Sequence, residues 1–407
     1  MGRIIQRVKI VKNSKNNGLD EENITWPRVL EIQTANSTFS TPSKIVTSQD
    51  LNSKAYLGME LDIPGSISLL DRWPYKFDRL NNIMNEPSST GNFNRELRKH
   101  RRIMNHFPLR IMYVHPTIKD SKLKNKDGTQ RIDKNGRTYF NNNEQKCLTF
   151  IDFLKEVSSN TQFEIVGVPT LTENINIQKK VFKNAIELVD NGALEEIIPI
   201  LDMRQSPKEI ENLLDYLLSE YCSTGLIKSI GFHNTFSGNF ASTRAIISRK
   251  MLNEEIFVPI LSVSKSYLRT HISGINKQST FFGDAFAPEF KHGFNSDDQK
   301  KEVYKPYFLR SDTLEMTRLL SDGPDSSVSI LENEISDIFG TDYSEIERII
   351  QLHQDGVSSK KLDSEMSAIA RLHYAIYCEK ELTKMRTKVR ENKFEEYKKE
   401  KLKLFVS

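Results

Sequence analysis

Eight short apolar runs recur along the chain, each closed by polar or small residues: KIVTS (44–48), YLGMELDIPG (56–65), LRIMYVHPT (109–117), FEIVGVPTL (163–171), IIPILDM (197–203), IKSIGFHN (227–234), FVPILSVSK (257–265) and TFFGDAFAP (280–288). Within them apolar residues follow one another more than they alternate. That pattern belongs to strands covered on both faces, as in a parallel sheet. Helical stretches separate most of the runs. Residues 174–190 put Ile177, Val181, Ala185 and Leu188 on one face, and Asn191-Gly192 stops the helix. Ser206-Pro207 opens another, with Ser206 as N-cap, Pro207 at the first helical position, and Ile210, Leu213, Leu214 and Leu217 behind them. Strand and helix alternating eight times predict an α/β fold, a parallel (β/α)8 TIM barrel. In such a barrel the C-terminal strand ends meet at one mouth, where the chemistry sits. The ends of these runs carry Asp62, His115, Asp202, His233, Lys265 and Asp284.

Two segments break the alternation. Before the barrel, RVLEIQTANSTFSTP reads as a β-hairpin turning near Ala35-Asn36-Ser37. Residues 119–142 are polar, with turn signals at Asp127-Gly128 and Asn135-Gly136. Beyond residue 300 the pattern becomes helical, and the last forty residues read as one or two strongly charged helices. The predicted division is a basic flexible tail over 1–24, a barrel domain over 25–300 and a helical C-terminal extension over 301–407.

Composition changes this picture little. The 407 residues leave room for a barrel of roughly 250 and about a hundred more. Apolar residues make up 37%, enough for a core, and no run is long enough for a membrane span. Three dispersed cysteines without a CxxC pair fit a reducing interior, so a cytoplasmic protein is expected. The net charge of +4 biases partners only weakly. Its distribution says more: RELRKHRR (95–102) and the Lys/Arg-rich stretch 380–403 would suit a phosphate backbone if the fold joined them, or else form solvated helix faces.

Four features together resemble the tRNA-guanine transglycosylases. RVLEIQTANSTFSTPSKIVT (28–47) looks like that family's opening hairpin and Thr-Pro entry to strand one. The polar hairpin after strand three lies where the family has one. Phe282-Gly283-Asp284-Ala285-Phe286-Ala287-Pro288 is similar to the strand-eight Phe-Asp-x-x-x-Pro, with Gly283 inserted. MRTKVRENKFEEYKKEKL (385–402) resembles the terminal helix. The likeness runs in consistent order over residues 28–402. Departures accompany it. Strand three ends in Tyr113-Val114-His115-Pro116-Thr117 instead of Asp-Ser-Gly-Gly-Phe. The family's Cys-x-Cys-x-x-Cys zinc set is missing, His373 and Cys378 being too few to replace it. Strand six has Ser229–Asn234 in place of Gly-Gly-Leu-Ala-Val-Gly. A zinc-free, recoded pocket fits the DNA 7-deazaguanine transglycosylases at least as well as the tRNA enzymes.

The resemblance implies exchange of guanine for a 7-deazaguanine base in DNA or tRNA, with Asp284 as nucleophile and, as is common in the tRNA family, a homodimer. No cofactor is implied. Breaking an N-glycosidic bond needs a carboxylate beneath an oxocarbenium-like sugar, and a proton donor for the leaving base. Asp202, Asp62 and His115 are candidates for the proton; Asp202 leads, because Ser206 already supplies the helix cap. A flipped base is held by stacking and edge hydrogen bonds, the expected work of Tyr113, Phe232, Phe282 and Phe286 and of Gly231, His233 and Asn234. Lys265 and Arg269 are placed to meet a phosphate. Lys384, Lys388 and Lys399 recur at helical spacing opposite Leu382, Met385, Val389 and Phe394, which would dock the helix on the barrel. Two other readings stand beside this one: a barrel that binds nucleic acid without catalysis, and a metal-dependent barrel hydrolase using Asp202, His115 and His233. Convergence of those three on one point would favour the hydrolase.

Overall fold

The computed structural model describes residues 4–13, 27–72, 77–115, 143–203, 205–233, 240–263, 283–288, 306–318, 325–357 and 359–402. In chain order the first elements are strands β1 (Ile5–Asn13), β2 (Arg28–Thr34), β3 (Thr38–Ser40) and β4 (Ser43–Thr47), then helix α1 (Ser48–Leu57). Next come β5 (Ile67–Arg72), α2 (Phe77–Asn85), α3 (Pro87–Ile103), β6 (Leu109–Val114), α4 (Glu144–Thr161), β7 (Ile165–Pro169), α5 (Ile175–Asp190), β8 (Glu196–Asp202) and α6 (Pro207–Leu217). They are followed by β9 (Gly231–His233), α7 (Phe240–Met251), β10 (Pro259–Val263) and β11 (Ala285–Pro288). The extension holds β12 (Tyr307–Leu309), β13 (Met316–Arg318), α8 (Asp325–Phe339), α9 (Tyr343–Gln354), α10 (Lys360–Arg390) and α11 (Phe394–Leu402).

Strands β4 to β11 pair in parallel and close on themselves, β11 returning to β4. The eight-stranded barrel is therefore as the alternation predicts. Two apolar layers hold it. Inward residues such as Ile45, Ile67, Leu69, Ile111, Ile165, Ile198, Ile200 and Leu261 fill the interior. Outward residues such as Val46, Leu70, Met112, Val166, Leu201 and Ile260 pack beneath the helices. Burial on both faces explains the near-continuous apolar runs.

The second strand differs from expectation. Residues 56–57 end α1, Gly58 caps it in the left-handed region, and β5 begins only at Ile67. YLGMELDIPG is thus a helix end and a loop. Residues 5–13 likewise form β1, antiparallel to β2, where a flexible tail was expected. The expected hairpin turn at 35–37 joins β2 to β3, with the Thr34 N–H donating to the Ser37 carbonyl at 2.8 Å.

This three-stranded sheet plugs the barrel's N-terminal end. Ile5, Val8, Leu30 and Ile32 join the interior cluster. The extension packs on the outside: α10 lies against α1 and β4, and Glu379 accepts the Lys44 N–H at 2.7 Å. Leu382, Met385 and Val389 are buried as expected, with Phe394 half-buried.

Candidate metal centre at the barrel mouth

Strand geometry alone aims the site. Successive side chains on a strand point to opposite faces. On β6, Leu109, Ile111 and Tyr113 face the interior, so His115, the next residue of that parity, does too. On β8, Ile198 and Ile200 face inward, and Asp202 follows them. On β9, a Cβ on Gly231 would lie 3.2 Å from Ile200 Cγ1 and 3.3 Å from Ile198 Cγ2, inside the barrel, and His233 shares that parity. Three strands thus deliver two imidazoles and a carboxylate to the same end.

They meet there. The donor atoms of His115, Asp202 and His233 all lie within 4.8 Å of one another. The two imidazoles stack with centroids 4.5 Å apart and planes at 25°. All three side chains are buried, at 1%, 4% and 1% exposure. An ion about 2.1 Å from each donor needs donor separations of roughly 3–4 Å, and the set lies within 4.8 Å. Three protein donors leave coordination positions open, the arrangement of catalytic rather than structural sites.

Neighbours fix the donors. The Asp202 N–H donates to Thr170 Oγ1 at 3.1 Å, and that hydroxyl donates to the Ile200 carbonyl at 3.2 Å. The Met203 N–H donates to the His233 carbonyl at 3.1 Å, locking the end of β8 to the end of β9. Tyr113 lies beneath the imidazoles, 5.4 Å from the His115 ring and 6.0 Å from that of His233. Gly167 on β7 makes room for it: a Cβ there would stand 2.8 Å from Tyr113 Cδ2 and 2.7 Å from Ile200 Cδ1. Asp71 follows Ile67 and Leu69 on the inward face of β5, beside Tyr113 in register and half-buried. Neither Thr170 nor Asp71 is foreseen in the sequence. Parity along a correctly placed fifth strand would have found Asp71.

Several expected site residues lie elsewhere. Asp284 precedes β11 and so stands at the plugged end, opposite the mouth. It is fully buried there and pairs twice with Arg28, Nε to Oδ1 and Nη2 to Oδ2, each at 2.9 Å. It also accepts the Val258 N–H at 2.8 Å. Asp62 is exposed in the loop before β5, also away from the mouth. Phe232 and Phe286 point outward into the layer beneath the helices, which removes them from a base-stacking role. Gly231 packs against Ile198, Ile200 and Pro259, to which a Cβ there would stand 3.2–3.4 Å away. Asn234, Lys265, Arg269 and Phe282 fall outside the described residues.

The basic C-terminal helices also lie away from the mouth. Arg386 donates to the Pro42 carbonyl at 2.5 Å and Arg390 to Ser40 Oγ at 2.7 Å, both just before β4 and therefore at the plugged end. Lys384, between Glu381 and Arg386 on α10, pairs with Glu381 at 2.5 Å; Lys388 is half-buried and Lys399 exposed. His373 pairs with Glu334 at 2.8 Å, stacked on Tyr377, and Cys378 is a buried free thiol.

No protein-family model matches the chain, and no curated protein does.

Proposed function

We propose that the chain is a metal-dependent barrel hydrolase in which His115, Asp202 and His233 hold one divalent transition-metal ion. The observation carrying this reading is the convergence of three donors, from three separate strands, at the end where barrel enzymes do their chemistry. Two imidazoles and a carboxylate suit zinc(II) or iron(II). Such an ion lowers the pKa of a bound water to about 7, giving a hydroxide at neutral pH. His115, Asp202 and His233 would hold the ion, and the chemistry it would supply is a water-derived nucleophile for an electrophilic carbonyl or phosphoryl centre, the water's proton passing to the leaving group as its bond breaks.

The base-exchange reading places its nucleophile on strand eight at the mouth. Asp284, paired with Arg28 at the other end, cannot reach that place, so the reading keeps the opening hairpin, the barrel and the closing helix but not its nucleophile. A nucleic-acid partner would likewise have to be met at the mouth by groups other than Lys384 and Lys388.

Elemental analysis of purified protein, and of protein dialysed against zinc or iron(II), tests the proposal. About one ion per chain is expected, lost in His115→Ala and His233→Ala. Wild-type protein that takes up no divalent metal would refute it.

A further inference from the structure

Gln205 is 7% exposed, yet neither its Oε1 nor its Nε2 has a hydrogen-bond partner among the described residues. Buried polar groups almost always find partners, because losing water without replacement is costly. A carboxamide left with neither donor nor acceptor satisfied is therefore unusual, and its place in the fold gives it a meaning. The Gln205 N–H donates to the Asp202 carbonyl at 3.1 Å, closing a tight turn directly after the aspartate of the metal centre. A turn closed in this way holds the two α-carbons within about 7 Å. Its first half is tied to β9 by the Met203–His233 bond. Its far side is clamped by the cap of α6: Ser206 Oγ accepts from the Glu209 N–H, and Glu209 accepts the Ser206 N–H at 2.8 Å. Capping thus occupies Ser206 and Glu209 and leaves the Gln205 amide unused, three residues after Asp202 at the end of β8.

We infer that Gln205 is a substrate-recognition residue of this centre and that the substrate carries a primary or cyclic amide. The inference rests on the metal-centre reading. A carboxamide presents an acceptor beside a donor. An anion would satisfy Nε2 and set Oε1 against like charge. A group with N–H and C=O on the same side satisfies both atoms at once. A trans secondary amide holds the two on opposite sides; a primary amide or a lactam-type ring does not.

The test uses full-length protein loaded with zinc and two probes, 2-pyrrolidone and N-methyl-2-pyrrolidone, in titration calorimetry. The first offers N–H and C=O on one side; the second lacks the N–H. One hydrogen bond of ordinary net strength corresponds to a preference of up to about tenfold. Wild type should show that preference, and Gln205→Leu should lose it while keeping its zinc content. Because the leucine removes an unpartnered polar group, its melting temperature should equal or exceed that of wild type. Gln205→Met serves the same arms if the leucine variant does not fold. An equal preference in wild type and variant overturns the inference, as does a wild type that binds neither probe. Wild type that takes up no zinc overturns the centre itself, and this subsite with it.

Discussion

Asp284 and Asp202 are both buried strand-end aspartates, and their surroundings give them opposite work. Asp284 is held by a forked guanidinium whose other N–H groups donate to the carbonyls of Met251, Leu252, Glu254 and Ile256. Asp284→Asn leaves that guanidinium buried without its counter-charge. Breaking a buried pair from one side costs about 3–5 kcal/mol, so denaturant unfolding should show a loss of that order with metal binding per folded chain unchanged. Thr170 acts through Asp202. Thr170→Val removes the hydroxyl that receives the Asp202 main-chain N–H, and the loss of one such hydrogen bond should weaken metal affinity by up to about tenfold. A competitive zinc titration should find the drop, and denaturant unfolding a loss of about 1–3 kcal/mol, because the buried Asp202 N–H is left without an acceptor. Two thiols add a pH dependence. Burial pushes Cys147 up to about 11 and Cys222 up to about 12. The fold keeps these protons after the unfolded chain has released them. Their contribution to stability is therefore full below about pH 8.5 and falls as pH rises through 9 to 11. Unfolding midpoints measured from pH 8 to 11 should decline, and less so in Cys147→Ala.

At the scale of elements, period and capping carried most of the information. The helix over 174–190 appears as α5 with Asn174 as its N-cap, and Ser206-Pro207 opens α6 with a full capping box. Ser206→Ala should cost about 1 kcal/mol, and it should also loosen the turn that holds Gln205. His115, Asp202 and His233 were legible because each ends a clear apolar run. Three things were not. YLGMELDIPG mimics a strand because a helix end and a loop happen to be apolar together, while the real strand, ISLLDR, is short and broken by Ser68. TFFGDAFAP hides its own start. Gly283, at φ +97°, sits where a Cβ would be 2.4 Å from Ile260 Cγ1, so the strand begins after it, and Asp284 falls at the beginning instead of the end. Phe232 and Phe286 were drawn to the mouth by proximity in sequence, although strand parity turns them outward. Gly167 shows the reverse dependence of site on element. Gly167→Val would overpack Tyr113 and Ile200 for about 1–3 kcal/mol, and metal affinity should fall with it because Tyr113 underlies both imidazoles.

The whole molecule separates its two ends. The mouth carries the imidazoles and the carboxylate; the other end is sealed by the sheet of β1, β2 and β3. Removing residues 1–24 would take away β1 and uncover the interior cluster that Ile5 and Val8 complete. Each such side chain contributes roughly 1.5–3 kcal/mol. The truncated chain should therefore melt well below the full one, yet the fraction that stays folded should bind zinc as tightly. Equal melting temperatures would mean that the seal adds nothing.

The pair of Arg28 and Asp284 also sets a clock. The two are 256 residues apart in sequence. At roughly 5–20 residues per second, a ribosome needs about 13–50 s after making the arginine to make its partner. The apolar face of β2, with Leu30 and Ile32, is made early, and the interior cluster that covers it is complete only with residues as late as Leu261, Ala285 and Ala287. During that interval the nascent chain exposes sheet surface and a buried-type cation together, a state that collapse or a chaperone must shelter. Arg28 is thus made long before the carboxylate that its buried guanidinium needs.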